Sequence, residues 1–255
     1  MEKLSIIIPA YNEEKRIENT LSTYTKFFDK IKDLDYEILV VINNTKDNTK
    51  EIVEKHKKKN KKIRYLDLER GGKGYAVTEG FKDALKRKNT LIGFVDADMA
   101  TPPEAYHYLI KKLENSDGII ASRYIKGSIM EPKPTFQRKV SSRIFNTAIR
   151  TLLFMPYRDT QCGAKLFKRE TIEKILPQIT FSYYAFDVDL LYAARRNGFK
   201  IKEAPTKWAD KGLSKINFLK AGPRMFFGVV RLRLLNSPLK GMVRIYDKFL
   251  RFVPK

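Results

Sequence analysis

The chain has 255 residues, 43% hydrophobic and 12% aromatic, which is enough to bury the core of one α/β domain with a modest appendage. Its formal net charge of +22 at pH 7 attracts polyanions: anionic headgroups, nucleic acid or phosphorylated small molecules. A single cysteine, Cys162, excludes an intrachain disulfide framework and a cysteine-based zinc cluster, and it suits a reducing compartment.

In chain order, the first apolar run is Leu4 to Ile8, with no basic-then-apolar leader before it, so no signal peptide is expected. Further β-rich runs follow at Glu37–Ile42, Ile63–Leu66, Leu91–Val95 and Gly118–Ala121. Helical stretches lie between them at Glu14–Lys32, Thr49–Lys59, Tyr75–Arg87 and Glu104–Asn115. Near-continuous apolar strands alternating with helices predict a mainly parallel sheet covered on both faces, whose ligands sit at the carboxyl ends of the strands. Pro9-Ala10-Tyr11-Asn12-Glu13 follows the first strand, Asn43-Asn44-Thr45 the second and Asp96-Ala97-Asp98 the fourth. The lysine-rich block 51–62 has no interleaved aromatics and reads as a solvated helix end rather than a nucleic-acid patch. His56 and His107 stand alone and read as surface residues.

The character changes from Ser214 to Lys255, where ten Lys or Arg and one acid are set among apolar residues such as Met225-Phe226-Phe227 and Val229-Val230. Short basic amphipathic helices of this kind lie in the headgroup plane of an anionic membrane; packing on the sheet or on another subunit is the alternative. The longest apolar runs are far shorter than the roughly 20 residues of a spanning helix. The expected organisation is thus a catalytic domain at 1–213 and a membrane-surface tail at 214–255, peripheral on the cytoplasmic face.

Asp96 and Asp98, two residues apart at the end of an extended run, point to the same side. Paired carboxylates suit a hard divalent cation such as Mg2+ or Mn2+, shared with a diphosphate and acting as a Lewis acid on the leaving group. Arg70-Gly71-Gly72-Lys73-Gly74 opens a helical stretch with flexible backbone amides and cations suited to phosphate, without P-loop spacing.

These segments, together with Ala121-Ser122-Arg123-Tyr124, occur in the order found in glycosyltransferase family 2, which the chain resembles from about Leu4 to about Asn217. Arg158 to Phe167 and Ala185 to Tyr192 are similar to dolichyl-phosphate β-glucosyltransferases more than to their mannosyl relatives. The resemblance implies a GT-A fold and inverting hexose transfer from a nucleotide sugar, UDP-glucose being preferred, to a polyprenyl phosphate. It also implies residue roles. Pro9, Tyr11 and Glu13 would hold the nucleoside, Lys73 would lie near the base or ribose, and Asp96 and Asp98 would meet metal and diphosphate. Arg123, Arg138 and Ser142 would gather the acceptor phosphate; Asp159, Gln161 and Lys165 would line the sugar and phosphate pocket. Asp187 falls where relatives place a catalytic carboxylate, and Trp208 with 212–215 resembles a donor-covering loop in which Lys215 touches phosphate. At Asn43 an amide replaces the carboxylate that usually meets the base, and Ala100 stands where mannosyl relatives carry a metal-binding glutamine.

Other readings stay open at this level: either Asp187 or Asp189 as a helix N-cap, Trp208 as packing, Arg123 and Arg138 as surface cations. For the whole chain the alternatives are GDP-mannose as donor, a hydroxyl acceptor, or a non-catalytic basic module that binds membrane or nucleic acid.

Overall fold

A computed structural model of the protein describes residues 2–133, 135–180, 185–209 and 218–250. The first half alternates strand and helix: β1 (Glu2–Ala10), α1 (Ile17–Phe28), β2 (Leu34–Asn43), α2 (Thr49–Lys59), β3 (Ile63–Leu68), α3 (Lys73–Leu85), β4 (Leu91–Val95), α4 (Pro103–Leu113) and β5 (Gly118–Ser122). Then come β6 (Ile129–Glu131), α5 (Phe136–Leu153), β7 (Ala164–Lys168), α6 (Arg169–Ile175), α7 (Phe186–Arg196), β8 (Ile201–Pro205), β9 (Lys207–Ala209), α8 (Phe218–Leu235) and α9 (Val243–Leu250).

Seven strands form one sheet in the order β3-β2-β1-β4-β7-β5-β8. Its β3-β2-β1-β4 half is parallel, as the alternating pattern predicts, and β5 and β8 are also parallel to each other. β7 runs antiparallel between β4 and β5, an insertion that the pattern of the first half does not announce. Side chains of a strand alternate between faces, and the core divides accordingly. Ile7, Leu39, Val41 and Phe94 pack with α3, α6 and α7 on one face. Ile6, Ile8, Val40 and Ile42 pack with α1 and α4 on the other.

The helix α3 starts at Lys73, two residues before the predicted Tyr75, because Gly72 takes φ +128, a conformation open to glycine. Close packing then fixes that helix: a Cβ on Gly74 would fall 2.7 Å from the Phe186 side chain, and one on Gly80 2.6 Å from Ile7.

Beyond the sheet, β6 and β9 pair as a small parallel ribbon. α8 buries Met225, Val229 and Leu232, spaced at i, i+4 and i+7 as one helical face, and Val229 and Leu232 join the core that contains α7. Arg231 donates to both carboxylate oxygens of Asp247 at 2.7 and 3.0 Å, linking α8 to α9. Phe226, Leu239, Met242 and Ile245 stay exposed. The described part of the basic amphipathic segment therefore packs on the α/β body through α8 and presents apolar side chains on another face. The predicted boundary at residue 213/214 lies outside the described residues.

Candidate active site

The carboxyl ends of β1, β2 and β4 carry the segments singled out in the sequence, and short polar side chains strap them together. Asn12, at φ +53, accepts from the Lys46 amide at 2.8 Å, while Glu13 N–H donates to Thr49 Oγ1 at 2.8 Å. Asn43 is buried and uses both ends of its amide on backbone: Nδ2 donates to Ala10 O at 3.0 Å and Oδ1 accepts from Gly72 N–H at 3.0 Å. It staples β1 to the start of α3, at the position where the base contact is inferred. Glu13, expected at the nucleoside, receives Arg16 on both carboxylate oxygens at 2.6 Å. Pro9 sits half-buried at the end of β1, and Tyr11 just beyond it is exposed at the mouth of the strands.

After β4, the chain turns at Asp96-Ala97-Asp98. α1 anchors this turn from behind, Thr20 Oγ1 donating to Ala97 O and Tyr24 OH to Thr101 O, each at 2.8 Å. Asp98 Oδ1 accepts from Ala100 N–H at 2.9 Å. Burial and the adjacent Asp96 charge push the Asp98 carboxyl up from its ordinary value, although Ala100, Arg16 and Lys73 oppose the rise. Such a carboxylate gains by meeting a cation. Gly163, just ahead of β7, makes room for Asp96: its carbonyl accepts from Asp96 N–H at 3.1 Å, and a Cβ there would fall 1.8 Å from Asp96 Oδ2.

Four charged side chains then form a ladder across the site. Lys165 Nζ donates to Asp187 Oδ1 at 2.6 Å and to Cys162 O at 2.6 Å. Lys73 Nζ lies 3.5 Å from Asp187 Oδ2 and 2.8 Å from Asp96 Oδ1. Both ammonium groups stand over the Phe94 ring, at 5.3 and 5.5 Å. Burial works to raise the Asp187 carboxyl, yet Lys165 and Lys73 outweigh it and hold the group below its usual value. In the same way burial opposes the Lys73 charge, and Asp187 with Asp96 overrides it, so its ammonium is held above the ordinary lysine range. Lys73, inferred to lie near the base or ribose, meets the carboxylates of Asp96 and Asp187. Lys165, inferred to line the pocket, is fully buried beneath it.

A second charged unit lies toward β5. Arg123 donates to Asp159 through Nε at 2.7 Å, Nη2 at 2.9 Å and its backbone N–H at 2.9 Å. Its guanidinium also stacks on Tyr124 and Trp208, each 5.4 Å to the ring centroid. Glu203 on β8 accepts from the backbone N–H groups of Arg158 and Asp159 at 2.9 and 3.0 Å. Burial raises the Asp159 carboxyl, but Arg123 more than compensates and keeps it below its usual value. Arg123 and Asp159, inferred to gather the acceptor phosphate and to line the pocket, are each other's principal hydrogen-bond partners. Ser142 on α5 bonds Tyr124 OH at 2.7 Å, and Gln161 sits half-buried in the turn before β7. Arg138 lies on α5 with its side chain outside the described residues, and residues 212–215, Lys215 among them, fall outside the described residues altogether.

The N-cap reading of Asp187 or Asp189 fails, because Ala185 is the N-cap of α7 and makes no side-chain cap. Asp189 turns away from the ladder to accept from Thr180 N–H at 2.7 Å and Thr180 Oγ1 at 3.0 Å. Thr20, Tyr24, Gly163 and Glu203 escape sequence reading because each acts through a contact distant in sequence. Only Gly163, set between Cys162 and an apolar strand, leaves a local trace.

Comparison with known proteins gives three concordant results. The family model described as Glycosyl transferase family 2 matches residues 5–176. Dolichyl-phosphate beta-glucosyltransferase of Dictyostelium discoideum is 33% identical over 243 residues, covering 90% of this chain and 73% of that one. The Drosophila melanogaster protein of the same description is 33% identical over 248 residues, covering 90% and 75%. Among solved structures, glucosyl-3-phosphoglycerate synthase from Mycobacterium tuberculosis, in complex with Mn2+, UDP and phosphoglyceric acid, aligns with a TM-score of 0.66 at 18% identity, covering 91% of this chain and 78% of that one. That likeness is one of fold.

Proposed function

The chain belongs to glycosyl transferase family 2, and from that premise we propose that it moves glucose from UDP-glucose to a polyprenyl phosphate at an anionic membrane surface, inverting the anomeric centre. It is a glycosyltransferase, and relatives that share most of its length are named for hexose transfer to dolichyl phosphate. The observation that carries the acceptor assignment is the state of Asp187. A carboxylate held between Lys165 and Lys73, with its proton affinity lowered, is a poor general base. A sugar hydroxyl needs such a base tuned toward the working pH; a phosphate monoester, with a second pKa of roughly 6, is already largely dianionic.

In the proposed reaction a phosphate oxygen of the lipid attacks the anomeric carbon as the bond to the nucleoside diphosphate breaks on the opposite face. Asp96 and Asp98 are the residues that would hold a divalent ion. Among the described residues no third His, Cys, Asp or Glu joins them, and two carboxylates plus diphosphate oxygens and water suit Mg2+ or Mn2+. Bound there, such an ion would supply Lewis-acid stabilisation of the leaving diphosphate. Lys165 fixes Asp187, and the Arg123–Asp159 pair fixes the wall toward β5 and the Trp208 ribbon. Arg138, Ser142, Gln161 and Lys215 remain the proposed acceptor-side contacts.

The described residues include no helix long and apolar enough to cross a membrane. The exposed Phe226, Leu239, Met242 and Ile245, set among cations, support docking of the 214–255 segment on anionic lipid, on the cytoplasmic face. The test is transfer of radiolabelled sugar from UDP-glucose and GDP-mannose, in parallel, to short-chain polyprenyl phosphate with Mg2+ or Mn2+. Labelled lipid from UDP-glucose alone is expected, and Asp98→Ala should lower that transfer by about 1000-fold or more if the metal's several kcal/mol are lost. Lipid labelled from GDP-mannose alone overturns the donor assignment; donor hydrolysis with no labelled lipid overturns the acceptor.

A further inference from the structure

We infer that Lys73 is a built-in counter-cation of the metal site: it occupies Asp96 until a divalent ion and a nucleoside diphosphate arrive together, and so couples their binding. The inference rests on the donor-and-metal reading above.

Lys73 Nζ is 2.8 Å from Asp96 Oδ1, the carboxylate proposed to receive the ion. A divalent cation and an ammonium against the same carboxylate oxygen repel strongly, and with Asp96 Oδ2 turned against Gly163 an ion taken up at Oδ1 displaces the lysine. The root of the lysine is fixed, since Gly72 N–H is held by Asn43 Oδ1 and Gly74 packs against Phe186. Its side chain, about a third exposed at 35%, is free to swing. It already reaches Asp187 Oδ2, at 3.5 Å, and can close further on it. The other oxygen of Asp187 is already committed to Lys165 at 2.6 Å, so Asp187 compensates a displaced lysine only in part. A diphosphate supplies the missing anionic oxygens. The ion alone displaces Lys73 at a loss, whereas the ion with its diphosphate gives both Asp96 and Lys73 new partners. Coupling of this kind is reciprocal: UDP tightens metal binding by the factor by which metal tightens UDP binding.

The residue that closes the ladder decides the outcome of the test. Mn2+ binding to the full chain is followed by electron paramagnetic resonance, with and without UDP, for the wild type, Lys73→Met and Lys73→Arg. Circular dichroism and thermal melting report that each variant is folded. The wild type is expected to bind Mn2+ weakly alone and at least 10-fold more tightly with UDP. Lys73→Met should bind Mn2+ alone about 10-fold more tightly than the wild type and gain less from UDP than the wild type does, keeping only what direct diphosphate–ion contact supplies, while Lys73→Arg keeps the wild-type coupling. A folded Lys73→Met that binds Mn2+ no more tightly than the wild type, where wild-type binding still depends on UDP, overturns the counter-cation role and leaves the donor reading standing. Wild-type protein that takes up no Mn2+ even with UDP overturns the metal-dependent donor reading, and this inference with it.

Discussion

The two charged units of the site use the same chemistry to opposite ends. Arg123 and Asp159 form a closed pair: two side-chain hydrogen bonds, a third from the backbone, two aromatic rings against the guanidinium and a carboxylate with no exposed surface. The ladder from Lys165 through Asp187 and Lys73 to Asp96 begins equally buried but ends open, with side-chain exposures of 35% and 37% at its last two members. A closed pair holds a wall in place. An open ladder can trade its terminal partner for a ligand, because the group released is not left desolvated and unpaired.

Three measurements break or sharpen that contrast. Truncating Asp159 to Ala leaves the buried Arg123 guanidinium without its partner, which costs about 3–5 kcal/mol of stability and should appear as a large drop in denaturation midpoint. Lys73→Met, at the open end of the ladder, should lower it far less. An equal loss for both variants would mean that the ladder is as structural as the clamp.

Asp189 tests the contrast on a single helix, since it lies two residues from Asp187 and, among the described residues, has no lysine against its carboxylate. Burial raises it to about 6, against the hydrogen bonds from Thr180. A carboxyl raised in the folded state binds a proton that the unfolded chain has released, so stability is gained as pH falls from about 6 toward about 4 and lost as pH rises across that window. The full swing is about 3 kcal/mol, from roughly two pKa units at 1.36 kcal/mol each. Urea denaturation at pH 4.5 and 6.5 should show the wild-type slope flattened in Asp189→Asn, which retains an acceptor for Thr180. An unchanged slope places the titration elsewhere.

The smallest effect is expected at Gly163, where a methyl group must push Asp96 aside. Gly163→Ala should reduce turnover by about 100-fold, the scale of a 1 Å misplacement at a reacting centre, while changing the melting temperature little. A turnover close to that of the wild type would show that Asp96 adapts freely.

How far the sequence carries can be read from particular residues. β1 through β5 are legible because the alternation of buried strands and helices is a local, periodic signal. Asp96 and Asp98 are legible because their place after a strand is a local fact. β7 is not: its antiparallel insertion between β4 and β5 is decided by pairing between residues 71 and 45 apart in the chain, Phe94 against Lys165 and Ile120 against Lys165. The start of α3 is missed by two residues because it depends on the backbone angle of Gly72. Lys165 looks in the sequence like a cation for phosphate; only the sheet reveals that its ammonium is sealed beneath Asp187.

The sequence by itself therefore determined the class of fold, the family and the set of charged residues at the strand ends, since hydrophobic period, turn chemistry and motif order are written in neighbouring residues. Tertiary structure alone decided which cation meets which carboxylate. Arg123, Lys165 and Lys73 are interchangeable in charge, and their different partners follow from burial and from distances between elements far apart in the chain. Those distances divide the charged groups into a wall that stays closed and a ladder open to ligand.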